Sequence, residues 1–290
     1  MKLLRPLFVL FLVLDLFSCS KTPQASGKIR VAVSILPLLD FVREVGGDEV
    51  EAYAIVPPGS DPHTFELTPD VLRKTASAEL LVLNGIGLEY WASKVTDNIH
   101  RADFRVIDTS DGLPVLQDED HAQGNPHIWL DPVLAIHQVE KIGLALCSVD
   151  TAHAVYYRKN TQAYILELQD LDQEIRKEIG TWRHRQFICF HPSWNYFANR
   201  YQLDQAAVIE KRPGFEPNPG EMAEIIDTAR RIHASAIFAE MQFPAKISEA
   251  IAQESGAKVI RLDPLGSDDA SFSYIGLMRY NLQQMSIALK

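Results

Sequence analysis

From Thr151 to Gly180 the chain has no proline, and its first glycine comes only at the last position; on either side of this stretch one order of elements occurs twice. Within it, Tyr164, Leu168, Leu171, Ile175 and Ile179 recur at steps of three and four, with Glu, Lys and Arg on the other faces. That spacing predicts a helix with a single apolar stripe. A helix of about 30 residues runs about 45 Å, enough to span two lobes. Two consecutive helices would satisfy the same pattern and make a looser joint.

The repeated order begins with a β-branched run, Arg30 to Ser34, then a helical pattern, Leu38 to Val45, closed by Gly46-Gly47. A second strand, Val50 to Val56, leads into the loop P-P-G-S-D-P-H-T-F-E-L-T-P. Thr68-Pro69 opens a helix up to about Ser77, Glu79 to Asn84 reads as a third strand, a helix follows around Leu88 to Asn98, and Arg105 to Asp108 is a fourth strand. The second half repeats this: strand Phe187 to Phe190, helix through Asn199, strand Ala206 to Glu210, the loop R-P-G-F-E-P-N-P-G, helix Glu221 to Ile232, strand Ala236 to Ala239, helix Lys246 to Ser255, strand Lys258 to Arg261. Alternation of this kind predicts an α/β fold. The expectation is two similar lobes, each a mostly parallel four-stranded sheet with helices on both faces, joined by one long rigid helix. The lobes fall at 29–150 and 181–290, with the linking helix at 151–180.

The N-terminus sets the compartment. Lys2 and Arg5 precede an apolar run from Pro6 to Phe17, broken once by Asp15 and too short for a membrane span. It ends in Leu16-Phe17-Ser18-Cys19, which resembles a bacterial lipobox: residues 1–18 form a signal peptide, Cys19 carries the lipid, and 19–28 is a tether. A plain cleaved signal with an incidental cysteine is the alternative. Cleavage removes Lys2, Arg5 and Asp15, leaving 26 basic and 37 acidic side chains and a net charge near −11. An acidic exported domain argues against nucleic acid as a partner and is permissive for cations. Cys147 and Cys189 both lie in apolar runs and read as two free, buried thiols rather than a disulfide.

In open parallel sheets, ligands bind beyond the carboxyl ends of the strands. His63 lies in the loop leaving the second strand, between Pro62 and Thr64; His127 follows the fourth strand after a loop, held between Pro126 and Ile128-Trp129. His191 comes directly after the first strand of the second half and Asp263 after its fourth, each followed by proline. Three imidazoles and a carboxylate thus converge on one edge, a donor set suited to one cation of modest size. Asp61 and Glu66 are candidates to orient His63 from behind it, plain loop capping being the alternative. Asp131 reads as the cap of a helix opened by Pro132, and Asp263 alone would also pass for a cap. The roles of Glu210 and Glu240 at strand ends stay open. His121, in the short acidic run D-E-D-H, is the one further histidine with a conceivable role in collecting metal.

V-P-P-G-S-D-P-H-T-F-E-L-T-P, N-P-H-I-W-L-D-P, F-H-P-S-W-N-Y-F-A-N-R-Y-Q-L, R-P-G-F-E-P-N-P-G-E-M and R-L-D-P-L-G together carry a resemblance. Over nearly the whole mature chain, the sequence is similar to ZnuA/TroA-like metal-binding lipoproteins, the solute-binding components (cluster A-I) of bacterial zinc and manganese ABC importers. The resemblance implies a metal held between the lobes by His63, His127, His191 and Asp263. It also implies a monomer, anchored by lipid outside the cytoplasm in the periplasm or at the cell surface, that meets an ABC permease and, through it, an ATPase. Family members tuned to manganese or iron carry a carboxylate at the third position, where this chain has His191. Imidazole favours zinc, so Zn2+ is the expected cargo and Mn2+ the second choice. The histidine-rich loop common in zinc carriers is reduced here to D-E-D-H-A-Q-G.

Other classes fare worse. A zinc hydrolase needs an open coordination position and a general base, often H-E-x-x-H on a helix; that motif is absent and no enzyme is expected. N-G-I-G-L-E-Y lacks the third glycine of a dinucleotide loop. A surface adhesin is the serious rival, since relatives of this kind bind host matrix. Matrix binding that survives removal of both His127 and His191 would separate adhesion from metal capture.

Overall fold

The computed structural model describes residues 27–117, 123–212, 214–267 and 272–290. The signal peptide, Cys19, most of the tether and His121 lie outside the described residues.

The first sheet comprises β1 (Ile29–Val33), β2 (Val50–Ala54), β3 (Leu80–Leu83) and β4 (Arg105–Asp108), all parallel, in the order β2-β1-β3-β4. The second repeats the plan with β5 (Gln186–Cys189), β6 (Asp204–Val208), β7 (Ala236–Glu240) and β8 (Lys258–Leu262), in the order β6-β5-β7-β8. In both, the first strand sits inside the sheet and the chain leaves it to opposite sides. This makes a switch point at the carboxyl ends of β1 and β3, and another at those of β5 and β7. The α/β class and the twin sheets expected from the repeat are what the chain forms.

The helices of the first half are α1 (Leu36–Gly46), α2 (Pro69–Thr75), α3 (Ala92–Thr96) and α4 (Pro132–Val149). Next comes α5 (Ala154–Ile179), 26 unbroken residues after a 3-10 turn at Thr151–His153. The second half adds α6 (Asn195–Tyr201), α7 (Pro219–Arg231), α8 (Lys246–Ser255) and α9 (Tyr274–Leu289). Local chemistry sets many of the ends. Thr68 caps α2 through Val71 N, Asp131 caps α4 through Val133 N, and Asn218 and Glu221 form a capping box on α7.

The helix expected from Leu88 to Asn98 is shorter than its pattern. Gly85 and Gly87 have φ of 94° and 73°, and the Glu89 carboxylate folds back to accept from Asn84 N and Gly85 N at 2.7 and 3.0 Å. That turn occupies the segment until Ala92. Similarly, β6 begins at Asp204, which pairs with Gln186, and ends two residues before the expected Glu210.

Side-chain alternation along the strands separates the cores. Val31, Val33, Leu80 and Val82 of the first sheet, and Phe187, Cys189, Ala236 and Phe238 of the second, enter one apolar cluster. The apolar stripe of α5, including Tyr164, Leu168, Leu171, Ile175 and Ile179, runs through that cluster. The opposite faces have cores of their own: Ala32, Leu81, Trp91 and Val95 in the first lobe, Ile188, Phe190, Ile225 and Ile251 in the second. The lobes therefore share a hydrophobic interior instead of meeting only at a linker. Among the elements, α9 packs on α5, α1 and β8, binding the chain's end to both halves.

Candidate metal centre

Each histidine is placed by backbone chemistry close to it. After β2 the loop turns at Gly59, φ 76°, and Asp61 accepts from His63 N at 2.9 Å and from Thr64 Oγ1 at 3.0 Å. Asp61 thus fixes the backbone that presents His63, while Glu66 is exposed to solvent. His191 follows β5 at the second sheet's switch point and is 2 % exposed.

His127 is held most firmly. The Pro126 carbonyl before it accepts from Asn84 Nδ2 at 2.8 Å, and Asn84 Oδ1 accepts in turn from Gln138 Nε2 at 3.2 Å. Asn125 Nδ2 donates across the cleft to the Pro192 carbonyl at 2.8 Å. A carbonyl only accepts, so the other amide atom of Asn125 is the oxygen. That oxygen accepts from His127 N at 3.0 Å and lies 2.8 Å from His127 Nδ1, which must therefore carry its proton. The lone pair is left on Nε2, facing the cleft, as in metal-ligating histidines whose second nitrogen donates to a carbonyl.

The three Nε2 atoms form a nearly equilateral triangle: 3.1 Å between His63 and His127, and 3.2 Å from His191 to each. Around a tetrahedral zinc at about 2.0–2.1 Å, donor nitrogens stand about 3.3–3.4 Å apart. Opening the triangle to admit a cation needs shifts of about 0.1–0.3 Å. Three ring nitrogens this close, once neutral, form a donor set for a borderline-soft cation. The surrounding cleft, bounded by Asp61, Pro62, Trp129, Glu240, Gln242, Phe243, Pro264 and Leu265, holds about 20 Å³. That is room for an ion, against several hundred Å³ for an organic ligand.

Asp263 is placed differently from the histidines. Donor atoms of His63, His127 and His191 lie within 4.8 Å of one another, and the Asp263 carboxylate is not in that group. Its Oδ1 accepts from Leu265 N, Gly266 N and Gln242 Nε2 at 3.1, 2.8 and 3.0 Å, the pattern of a loop-ordering carboxylate. Glu240 ends β7 against the cleft, 2 % exposed, with Ser193 Oγ donating to it at 2.5 Å; burial pushes its carboxyl up to about 8. Glu210 is also buried, accepts from Gly214 N at 2.9 Å, and is raised by desolvation first and by Asp61 second. Asp131 both caps α4 and receives Arg200 Nε at 2.9 and 2.8 Å, an ion pair joining the lobes. Gln242 and Asn125 were not singled out by sequence, because amides carry no ligand signature until their partners are known. Cys147 and Cys189 are both free, Cys189 buried and Cys147 half-buried.

A family model described as the periplasmic component A of the zinc-uptake complex (ZnuA) matches residues 31–288. The zinc-binding lipoprotein AdcA of Streptococcus pneumoniae (strain ATCC BAA-255 / R6) is 28 % identical over 98 % of this chain, which spans 59 % of AdcA's length. The high-affinity zinc uptake system protein ZnuA of Bacillus subtilis (strain 168) is 27 % identical over 90 % of this chain and 88 % of its own. The manganese ABC transporter substrate-binding lipoprotein PsaA of Streptococcus pneumoniae is 26 % identical over 100 % and 99 %. Among solved structures, a crystal structure of ZnuA matches with a TM-score of 0.83 and 37 % identity over 90 % of this chain and 99 % of that one. The laminin-binding protein of Streptococcus agalactiae, described as having adhesin and metal-transporting activity, matches with a TM-score of 0.82 and 29 % identity over 90 % and 100 %.

Proposed function

Because this chain belongs to the family of periplasmic zinc-uptake components, we propose that it captures Zn2+ between its lobes and delivers it to an ABC permease. The ligands in this reading are His63, His127 and His191, with Asp263, directly after β8, as the fourth. The observation that carries it is the triangle of Nε2 atoms at 3.1–3.2 Å. A donor set of three imidazoles and one carboxylate favours zinc, whereas oxygen-rich sets suit manganese, so Mn2+ is the weaker alternative. The family and the relatives named above are metal-uptake components, and the reading is of a receptor rather than an enzyme. The chain would act as a monomer outside the cytoplasm, anchored by lipid at Cys19, with lobes 29–150 and 181–290 flanking the linking helix.

The chemistry of release follows from the ligands. Imidazoles bind metal only when neutral, so protons compete with the cation, and acid would empty the site. Elemental analysis of protein purified without tag or chelator is expected to give one zinc per chain. His127→Ala is expected to weaken zinc binding at least about tenfold by calorimetry; undiminished affinity would remove His127 from the site and take the capture mechanism with it. The likeness to a laminin-binding protein supports adhesion as a second reading, and laminin binding indifferent to zinc loading would favour it.

A further inference from the structure

Asn84 to Glu89, N-G-I-G-L-E, directly follows β3 at the switch point of the first sheet. Gly85, Ile86 and Gly87 all have positive φ, at 94°, 53° and 73°. Glycine takes such angles freely. A β-branched residue does not, and one held there is a genuine outlier that persists only where its surroundings impose it. Two features impose it on Ile86. Glu89, 8 % exposed, turns its carboxylate back to accept from Asn84 N at 2.7 Å and from Gly85 N at 3.0 Å, one oxygen to each. Ile86 also shares a buried apolar cluster with Ile128, Leu134 and Tyr196, the last from the second lobe. At the head of the same turn, Asn84 Nδ2 donates to the Pro126 carbonyl at 2.8 Å. Pro126 and Ile128, the two neighbours of His127, thus both meet this turn, one through a hydrogen bond and the other in a shared apolar cluster.

We propose, resting on the reading that His127 binds a divalent cation, that Glu89 is a positioning residue for His127: its carboxylate clamps the left-handed turn so that Asn84 keeps its grip on the Pro126 carbonyl. The Asn84 backbone N–H has Glu89 as its close acceptor and Ser34 Oγ only at 3.3 Å. Loss of the carboxylate therefore loosens the residue that holds the loop before His127. It also lets Ile86 relax toward negative φ, which swings the peptide groups on either side of it and pulls its side chain from its place beside Ile128. Two backbone donors need two acceptors. A carboxylate offers both, whereas the amide of a glutamine would turn N–H against N–H at one of them. Metal–ligand distances hold to within about 0.2 Å, so a small displacement of the 125–128 segment is felt as affinity although Glu89 never meets the ion.

The test uses the full chain, zinc affinity by chelator competition, and the visible spectrum of the Co2+-substituted protein. Glu89→Gln keeps shape and removes one acceptor. Asn84→Asp keeps an acceptor for Gln138 Nε2 but cannot donate to the Pro126 carbonyl. Each is expected to weaken zinc binding about tenfold and to shift the Co2+ bands. Since Glu89 acts through Asn84, the double variant is expected to bind within about threefold of the weaker single one. Glu89→Asp, which keeps both oxygens one methylene short, serves should Glu89→Gln fold poorly, and is expected to weaken zinc at least about threefold. Unchanged affinity and bands in a folded Glu89 variant, even one less stable to urea, would reduce Glu89 to a structural part and overturn the assignment. Losses that multiply in the double variant to about a hundredfold would overturn it too, by showing that the two residues act independently. His127→Ala in the same assay separates the two readings: if it binds zinc like the parent, metal capture by the histidines fails. If it loses zinc while the Glu89 variants do not, only the role of Glu89 fails.

Discussion

At the scale of single residues, the site depends on side chains that never need to touch metal. Asn125 is fully buried, and its one amide sets the His127 tautomer with its oxygen and grips the Pro192 carbonyl with its nitrogen. Its backbone carbonyl also receives Tyr196 Oη at 2.9 Å. One residue therefore links the orientation of His127 to the segment that carries His191. Asn125→Leu is expected to lower zinc affinity about 10- to 100-fold, whereas Asn125→Asp, which still accepts from His127 Nδ1, should lose less. Equal losses in the two variants would show that the contact to Pro192, not the tautomer, dominates. The histidines themselves were readable from the sequence because each follows a strand, directly or after a loop, with a proline beside it. Asn125 and Gln242 were not, since an amide's role is decided by the acceptor it happens to face in space.

At the scale of elements, the long helix is the feature the sequence announced most clearly, and its packing explains why it is unbroken. Gly143 of α4 lies so close to α5 that an added Cβ would stand 2.3 Å from Thr161 Oγ1. Thr161 cannot readily turn away, because its hydroxyl is bonded to the Tyr157 carbonyl at 2.7 Å. Gly143→Ala is expected to cost about 1–3 kcal/mol in urea unfolding, despite the better helix propensity of alanine; a stabilised variant would mean the two helices can slide apart freely. The short α3 shows the opposite limit. Its apolar spacing suggests three turns, but a buried glutamate and two left-handed glycines hold the first half of the segment as a turn.

Across the whole molecule, the two lobes are joined by more than a hinge. Trp129 Nε1 donates to the Pro264 carbonyl at 2.7 Å, and Tyr274 Oη donates to the Trp129 carbonyl at 2.6 Å. Asp40 of α1 accepts from Tyr164 of α5 at 2.8 Å and from the first amide of α9 at 3.0 Å, and Asp131 receives Arg200. With the shared apolar interior beneath them, these bonds oppose wide opening. Small-angle scattering is expected to show the radius of gyration changing by less than about 1 Å between chelated and zinc-loaded protein, against about 19 Å for a chain of this size. A larger change would point to hinge closure of the kind found in other binding proteins.

The sequence by itself determined the repeated α/β plan, the linking helix and three histidines beyond strand ends, because periodicity, strand ends and proline punctuation are local properties of the chain. Only the tertiary structure decided how the loops around those histidines are tied and how the halves are held together. Both depend on where hydrogen-bond partners far apart along the chain come to rest, as Gln242 does against Asp263 and Asn125 against Pro192, and no local pattern records such a meeting.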